Sequence, residues 1–182
     1  LLSRFPQSQY APKAGNEIAL IHYQNNEIRL AINAYKKVII DYPGSEQANV
    51  AMRDLKNLYV EENMVDSYVE FASKASGIST IDVNEHDSLT YQAAKLAYTR
   101  GDEKVATKGF NKYLEQFSKG AYTIDAHYYL GCIYYKLDNY AQARNHLQFV
   151  SNHRNSKFCE EATRMMADLA YNHRDYEFAM IS

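Results

Sequence analysis

Residues 130–143 read LGCIYYKLDNYAQA, and the pattern within them decides the fold. A small residue, Gly131, precedes two tyrosines, and the Asp-Asn pair at 138–139 is typical of a tight turn that also supplies the N-cap of a following helix. Ala143 is a second small residue, which lets two helices approach closely. The stretch therefore predicts two helices joined by a short polar turn.

Three further copies of this pattern lie elsewhere in the chain. Each has a small residue, a tyrosine four residues later, a polar turn and then an alanine, and the copies begin at Ala19, Ala94 and Ala167. Shifts of 112, 37 and 36 residues superpose them on the copy that begins at Gly131. Helix pairs at a fixed period are the signature of a solenoid, in which each unit buries its apolar face by stacking on its neighbours.

A second recurring motif marks the connections between pairs. A ring residue at position 5, 42, 117 or 153 opens a short polar segment, and an alanine follows nine residues after each ring. The ring positions are spaced by 37, 75 and 36 residues, so one degenerate unit lies between Tyr42 and Phe117. Proline ends the preceding helix, and Ser or Gly serves the turn and the next N-cap. The chain is therefore predicted to be all-α, an α-solenoid of antiparallel helix pairs.

The segment from Leu130 to Ala143, followed by Leu147 and Val150, resembles the consensus of the tetratricopeptide repeat family. This resemblance extends over nearly the whole chain. It implies a right-handed superhelix in which the first helix of each pair lines a concave groove. The hinges Tyr42-Pro43-x-Ser45 and Phe5-Pro6-x-Ser8 resemble the variety found in bacterial envelope assembly lipoproteins and cell-division coordinators. That resemblance implies a periplasmic or outer-membrane-associated location.

We predict a single solenoid fragment over residues 1–182 with about five helix pairs. Residues 77–87 lose the periodicity, because Asp82, Glu85 and Asp87 have no matching apolar face, and an irregular insertion is predicted there. Both ends fall within a repeat, so we expect the natural protein to continue in both directions. The helix pairs are expected at 10–25 with 27–42, 46–61 with 64–76, 88–100 with 102–118, 122–137 with 139–153, and 158–173 with 175–182.

Charge and hydropathy argue against two classes of partner. The formal net charge is −2 and the basic residues are scattered singly, whereas nucleic-acid binding needs a concentrated basic surface. No apolar run approaches the ~20 residues that a membrane-spanning helix requires. We therefore expect neither DNA nor RNA as a partner, and no membrane span in this chain.

The sequence also lacks the motifs of common catalytic and metal sites. It contains no G-x-S-x-G, H-E-x-x-H, P-loop or dinucleotide-binding motif. Its six histidines lack the i, i+4 pairing of a helical metal site. Cys132 and Cys159 form no C-x-x-C motif and are expected to be inert buried thiols, with a disulfide or a reactive thiol as alternatives. We predict no enzymatic activity, no metal and no cofactor.

The first helix of each pair carries a recurring set of tyrosines. Placing Gly131 at the small position of the repeat directs Tyr128, Cys132, Tyr135 and their counterparts outward at i, i+4, i+7 spacing. Tyrosine has few rotatable bonds and makes a good binding anchor. The candidate partner-binding residues are Tyr23, Tyr91, Lys95, Tyr98, Tyr128, Tyr135, Arg164 and Tyr171.

These tyrosines have two interpretations. They either line a groove for an extended segment or helix of a partner, or they pack as wedges between neighbouring first helices. A register shift of one residue would exchange Tyr134 and Tyr135 between core and groove.

The expected function is a non-enzymatic scaffold that binds a partner protein or peptide in its concave groove. The alternative is a helical accessory region of a larger enzyme or carbohydrate-binding protein whose active domain lies outside this sequence. A fused catalytic domain in the parent gene would favour the alternative, and a signal peptide would favour the envelope scaffold.

Overall fold

The structure is a computed structural model that describes residue 5 and residues 7–75 and 81–172. Every regular element in these residues is an α-helix, which confirms the all-α helical repeat fold. The predicted helix at 175–182 lies outside the described residues. The helices are α1 (Ala11–Gln24), α2 (Ile28–Asp41), α3 (Glu46–Glu61), α4 (Val65–Lys74), α5 (Val83–Thr99), α6 (Glu103–Gln116), α7 (Thr123–Lys136), α8 (Tyr140–Ser151) and α9 (Cys159–Asn172).

The chain divides into two compact units, Leu1–His86 and Asp87–Ser182. In the first unit, α2 packs against both α1 and α3, and α4 packs against α3. In the second unit, α8 packs against both α7 and α9, and α5, α6 and α7 share one apolar cluster. Each unit therefore repeats the same helix-pair packing. A single right-handed solenoid over the whole chain stays a prediction.

The turn inside each pair has the same backbone geometry. One residue at each turn has a positive φ, which only glycine and, less often, asparagine or aspartate adopt readily. In each, the next N–H donates to the carbonyl five residues back, as from Asn139 to Tyr134 at 2.9 Å, which closes a Schellman motif. The turn residues are Asn26, Asn63, Gly101 and Asp138. Three of these turns were predicted from the repeat, and the turn at Asn63 belongs to the degenerate unit.

The hinges between pairs are also alike. In all four, the carbonyl of the ring residue accepts a hydrogen bond from the N–H three residues later. The bonds run from Ser8 to Phe5 (3.1 Å), Ser45 to Tyr42 (3.2 Å), Gly120 to Phe117 (2.9 Å) and Ser156 to His153 (2.8 Å). Ser45 is in addition the N-cap of α3, because its Oγ accepts from the Ala48 N–H at 3.0 Å.

The small residues of the repeat lie where two helices approach most closely. Ala19 and Ala94 are fully buried, and so are the alanines that follow each turn, Ala31, Ala106 and Ala143. Because any larger side chain at these positions would separate the helices, the small residues set the distance at which the pairs pack.

Helix α5 begins earlier than predicted, at Val83 rather than near residue 88. The Asp82 carboxylate accepts from the Glu85 N–H at 2.7 Å, as an N-cap does. Asp87 is buried and accepts hydrogen bonds from the Tyr113 hydroxyl (2.6 Å) and the Ala121 N–H (2.8 Å). The irregular insertion predicted for residues 77–87 is therefore wrong for residues 83–87, and residues 77–80 lie outside the described residues.

Two further sequence expectations concern helix hydropathy and cysteine. None of the helices in the described part of the chain is long and apolar enough to span a membrane. Cys132 is buried, Cys159 is half-buried, and both are free thiols.

Candidate functional site

The first unit contains one candidate residue, Tyr23 on α1. Its side chain is 38% exposed, and its hydroxyl donates to Glu61 Oε2 on α3 at 2.6 Å. Tyr23 borders a cavity of about 260 Å³ between α1 and α3, whose lining also includes Leu20, Tyr35 and Leu58. Tyr23 is therefore accessible and held in one orientation.

In the second unit, Lys95 and Tyr98 come together around a tyrosine of the next first helix. The Lys95 ammonium lies 3.5 Å from the centre of the Tyr129 ring, a cation–π contact. The Tyr98 and Tyr129 rings are 4.9 Å apart between centroids. Lys95 makes no ion pair with any described residue, so its charge is balanced only by the ring faces. Tyr98 is half-buried, and burial raises its pKa.

Tyr91 lies in the core. Its side chain is 9% exposed and its ring stacks on Tyr122 at 4.3 Å. Its hydroxyl contacts Asp125 Oδ1 at 3.4 Å, and burial is the largest cause of its raised pKa. At this position the structure supports the packing interpretation.

Tyr128 is half-buried and stacks on Phe158, with 4.0 Å between ring centroids. Its pKa is raised first by burial and then by the neighbouring Cys132 thiol, and Tyr98 contributes to the same shift. Tyr98, Tyr128 and Cys132 therefore lie near one another on α5 and α7.

The last three candidates lie on α7 and α9. Tyr135 is half-buried against the cluster that includes Leu147 and Met165. Arg164 is exposed and pairs with Glu161 (Nη2 to Oε1, 2.6 Å), and its pKa is influenced by Tyr135, which places the two side chains close together. Tyr171 is 69% exposed.

The alternative register is resolved at Tyr134. This ring packs against the apolar clusters on both sides of α7 and stacks on His146 at 5.7 Å. Tyr135 contacts only the cluster of α7, α8 and α9. Gly131 as the small position therefore places Tyr134 between the pairs.

Sequence reasoning missed several residues of this surface. Tyr129 carries the Lys95 ammonium, and Phe158 covers Tyr128, but neither occupies the repeat position that was followed. Asp54 and Glu61 border the cavity beside Tyr23, at i, i+7 spacing on α3. That spacing on a first helix was the available signal.

A pair of histidines lies between α7 and α8. His127 Nδ1 and His146 Nδ1 are 3.0 Å apart, and the His127 ring stacks on Phe149 at 3.9 Å. Burial lowers the pKa of both rings, that of His127 to about 4, so the pair is neutral at pH 7 and shares one N–H···N hydrogen bond. Within the described residues no three His, Cys, Asp or Glu side chains are grouped to hold a metal ion.

The tetratricopeptide repeat family model matches residues 17–45 and 125–156, which include most of α1 with α2, and α7 with α8. These two stretches are tetratricopeptide repeats. The match confirms the resemblance at family level, and it covers the turns at Asn26 and Asp138. A comparison with curated protein sequences finds no match.

Solved structures similar to this chain include three sets of helical repeats. The crystal structure of MamA protein is 14% identical, with a TM-score of 0.46 over 95% of this chain and 88% of that chain. The apo form of RapI is 16% identical, with a TM-score of 0.49 over 90% of this chain and 49% of that chain. Kinesin light chain nearly identical TPR-like repeats from Podosopora anserina are 12% identical, with a TM-score of 0.42 over 95% and 92% of the two chains.

Proposed function

We propose that this chain is a non-enzymatic interaction scaffold that binds a protein or peptide partner in a groove lined by the first helices of its pairs. The observation that carries this proposal is the repeated placement of accessible aromatic and basic side chains on α1, α5, α7 and α9. Tyrosine and arginine are the residue types that most often dominate binding energy at protein interfaces. The tetratricopeptide repeats at 17–45 and 125–156 support the same class of function.

The support beneath these side chains favours recognition of a defined partner. Tyr98 rests on Tyr129, and Tyr128 rests on Phe158, so each ring is held in place before a partner arrives. A rigid surface loses little side-chain entropy on binding, which leaves more of the contact energy as affinity. Lys95, balanced only by rings, adds a cation to this surface.

The proposal is tested with two double variants of the chain, each used to capture partners from its native host. Arg164→Ala with Tyr171→Ala removes exposed groups from α9, and Lys108→Ala with Gln148→Ala removes exposed groups from second helices. We expect both to retain stability within about 0.5 kcal/mol. The α9 variant should weaken partner capture about tenfold or more, and the control should not. Equal capture by both variants would contradict the proposal.

We also propose a periplasmic or outer-membrane-associated location. Its support is the resemblance of the Tyr42-Pro43-x-Ser45 hinge to envelope assembly lipoproteins and cell-division coordinators. Fractionation of host cells that express the full parent gene tests this location. Recovery of the protein with the envelope is expected, and recovery only in the cytosol would contradict it.

A further inference from the structure

We propose that the cavity between α1 and α3 of the first unit receives an arginine side chain of the partner. This inference rests on the proposed scaffold function and names the chemistry of one subsite. The cavity measures about 260 Å³, which is below the roughly 300–1,000 Å³ of pockets for drug-sized ligands. Its size therefore suits a single long side chain.

The walls and the rim of the cavity differ in polarity. Leu20, Leu58 and the ring of Tyr35 form apolar walls, and the rim carries Asp54, Asn57 and Glu61. An arginine has an aliphatic stem that packs on apolar surface and a charged end that stays at the polar rim. The two parts of the cavity match the two parts of that side chain.

The charge of the rim is negative. Asp54 and Glu61 lie two turns apart on α3, roughly 10 Å along the helix axis. Among the described residues, no lysine or arginine lines the cavity. Arg53 contacts Asp54 (Nε to Oδ1, 3.2 Å), but its side chain is 66% exposed. A cation from a partner would therefore meet two carboxylates at the two ends of the cavity.

Two polar groups at the cavity are placed for hydrogen bonding. The Tyr35 hydroxyl has no hydrogen-bond partner among the described residues, although the residue is 4% exposed and borders the cavity. Its pKa is raised first by burial and then by the charges of Asp54 and Glu17, which shows that both carboxylates lie near this hydroxyl. Tyr23 holds Glu61 through its 2.6 Å hydrogen bond. These acceptors are therefore arranged before any ligand binds.

Guanidinium suits this arrangement better than ammonium. It presents five N–H donors in a plane, so it can bond to a carboxylate and a hydroxyl at once, and its flat face packs on aromatic rings. The lysine ammonium is a compact, strongly hydrated charge that loses more solvation on entering an apolar cavity. We therefore assign the site to arginine.

The test uses ¹⁵N-labelled full chain and three small probes, followed by NMR. The probes are N-acetyl-arginine methylamide, its neutral isostere N-acetyl-citrulline methylamide, and N-acetyl-lysine methylamide. We expect saturable shifts of α1 and α3 amides with the arginine probe and about tenfold weaker binding of the citrulline probe. The lysine probe should bind more weakly than the arginine probe.

Isosteric variants locate the site. Asp54→Asn with Glu61→Gln should abolish the α1 and α3 shifts, and Glu62→Gln, an exposed neighbour on the same chain segment, should leave them unchanged. Circular dichroism verifies that the variants remain helical. Equal shifts with arginine and citrulline, shifts that survive the double variant, or tighter lysine binding would each overturn the assignment.

The two proposals fail independently. The probe experiment needs no partner, so a negative result would remove the arginine subsite while partner capture by α9 could persist. Conversely, loss of the α9 result would leave probe binding in the first unit intact.

Discussion

Gly131 of α7 lies directly against Leu147 of α8, so that a Cβ atom added at Gly131 would be 2.6 Å from Leu147 Cδ2 and 2.8 Å from Leu147 Cγ. Both residues are buried. In an exposed helix, replacing glycine by alanine stabilises by about 1 kcal/mol. Here the new methyl group must displace Leu147 in a closely packed core, which costs about 1–3 kcal/mol.

We therefore expect Gly131→Ala to lower the free energy of unfolding by about 1 kcal/mol, measured by urea denaturation. Gly131→Val should lower it further. Ala141→Gly on the exposed face of α8 calibrates helix propensity in this chain, with an expected loss of about 1 kcal/mol. Stabilisation by Gly131→Ala would show that α7 and α8 are not closely packed at this position.

The buried Asp87–Tyr113 hydrogen bond joins the start of α5 to α6. Tyr113→Phe removes the donor to Asp87 Oδ1 (2.6 Å) and the acceptor of the Tyr122 N–H (2.9 Å). Because both partners are left with one bond fewer in the interior, we expect a loss of about 1–3 kcal/mol in the free energy of unfolding. Tyr91→Phe is the matched control, since its hydroxyl makes only a 3.4 Å contact with Asp125, and it should cost less. Equal losses would mean that the Asp87 bond adds nothing.

Stability should fall as the pH falls from about 6.5 towards 4. In the folded protein burial lowers the pKa of His127 to about 4, from 6.5, and lowers that of His146. The unfolded chain binds more protons between these values, so stability rises with pH in that window and is complete above about 6.5. Because the rings are partly exposed, we expect about 1–2 kcal/mol in total.

Urea denaturation at pH 4.5, 5.5, 6.5 and 7.5 measures this dependence, at steps chosen from the window of roughly 4 to 6.5. His127→Gln with His146→Gln should flatten the slope. His22→Gln, on exposed α1 surface, should leave it unchanged. An unchanged slope in the double variant would assign the pH dependence to other groups.

The sequence predicted those features that depend on local contacts. The turns at Asn26, Gly101 and Asp138 and the small residues Ala19 and Gly131 recur at fixed spacing because turn geometry and helix approach each require particular residue types. The helix boundaries followed from these positions to within a few residues, except at α5.

The start of α5 was missed because acidic residues were interpreted only as surface. Asp82 and Glu85 have the spacing of a capping box, and Asp82 does cap the helix. The burial of Asp87 depends on Tyr113, which lies 26 residues later, and no local pattern indicates that contact. The burial of Tyr91 likewise depends on Tyr122.

The tyrosine positions therefore differ in what substitution should cost. Tyr98 packs on Tyr129 but keeps part of its ring accessible, so Tyr98→Ala should cost about 1–3 kcal/mol, less than the roughly 3–5 kcal/mol of a fully buried aromatic. Tyr171→Ala should stay within about 0.5 kcal/mol. Thermal and urea unfolding check both values. A loss at Tyr98 as large as that of Tyr113→Ala would make Tyr98 a core residue.

The most direct test of the scaffold account is site-specific photocrosslinking in the native host. Benzoylphenylalanine replaces Tyr23, Tyr98 or Tyr135 on first helices, or Asn33, Lys108 or Gln148 on second helices. The account predicts that one and the same partner is crosslinked from the first-helix positions and not from the second-helix positions. Crosslinking of that partner from second-helix positions alone would contradict it.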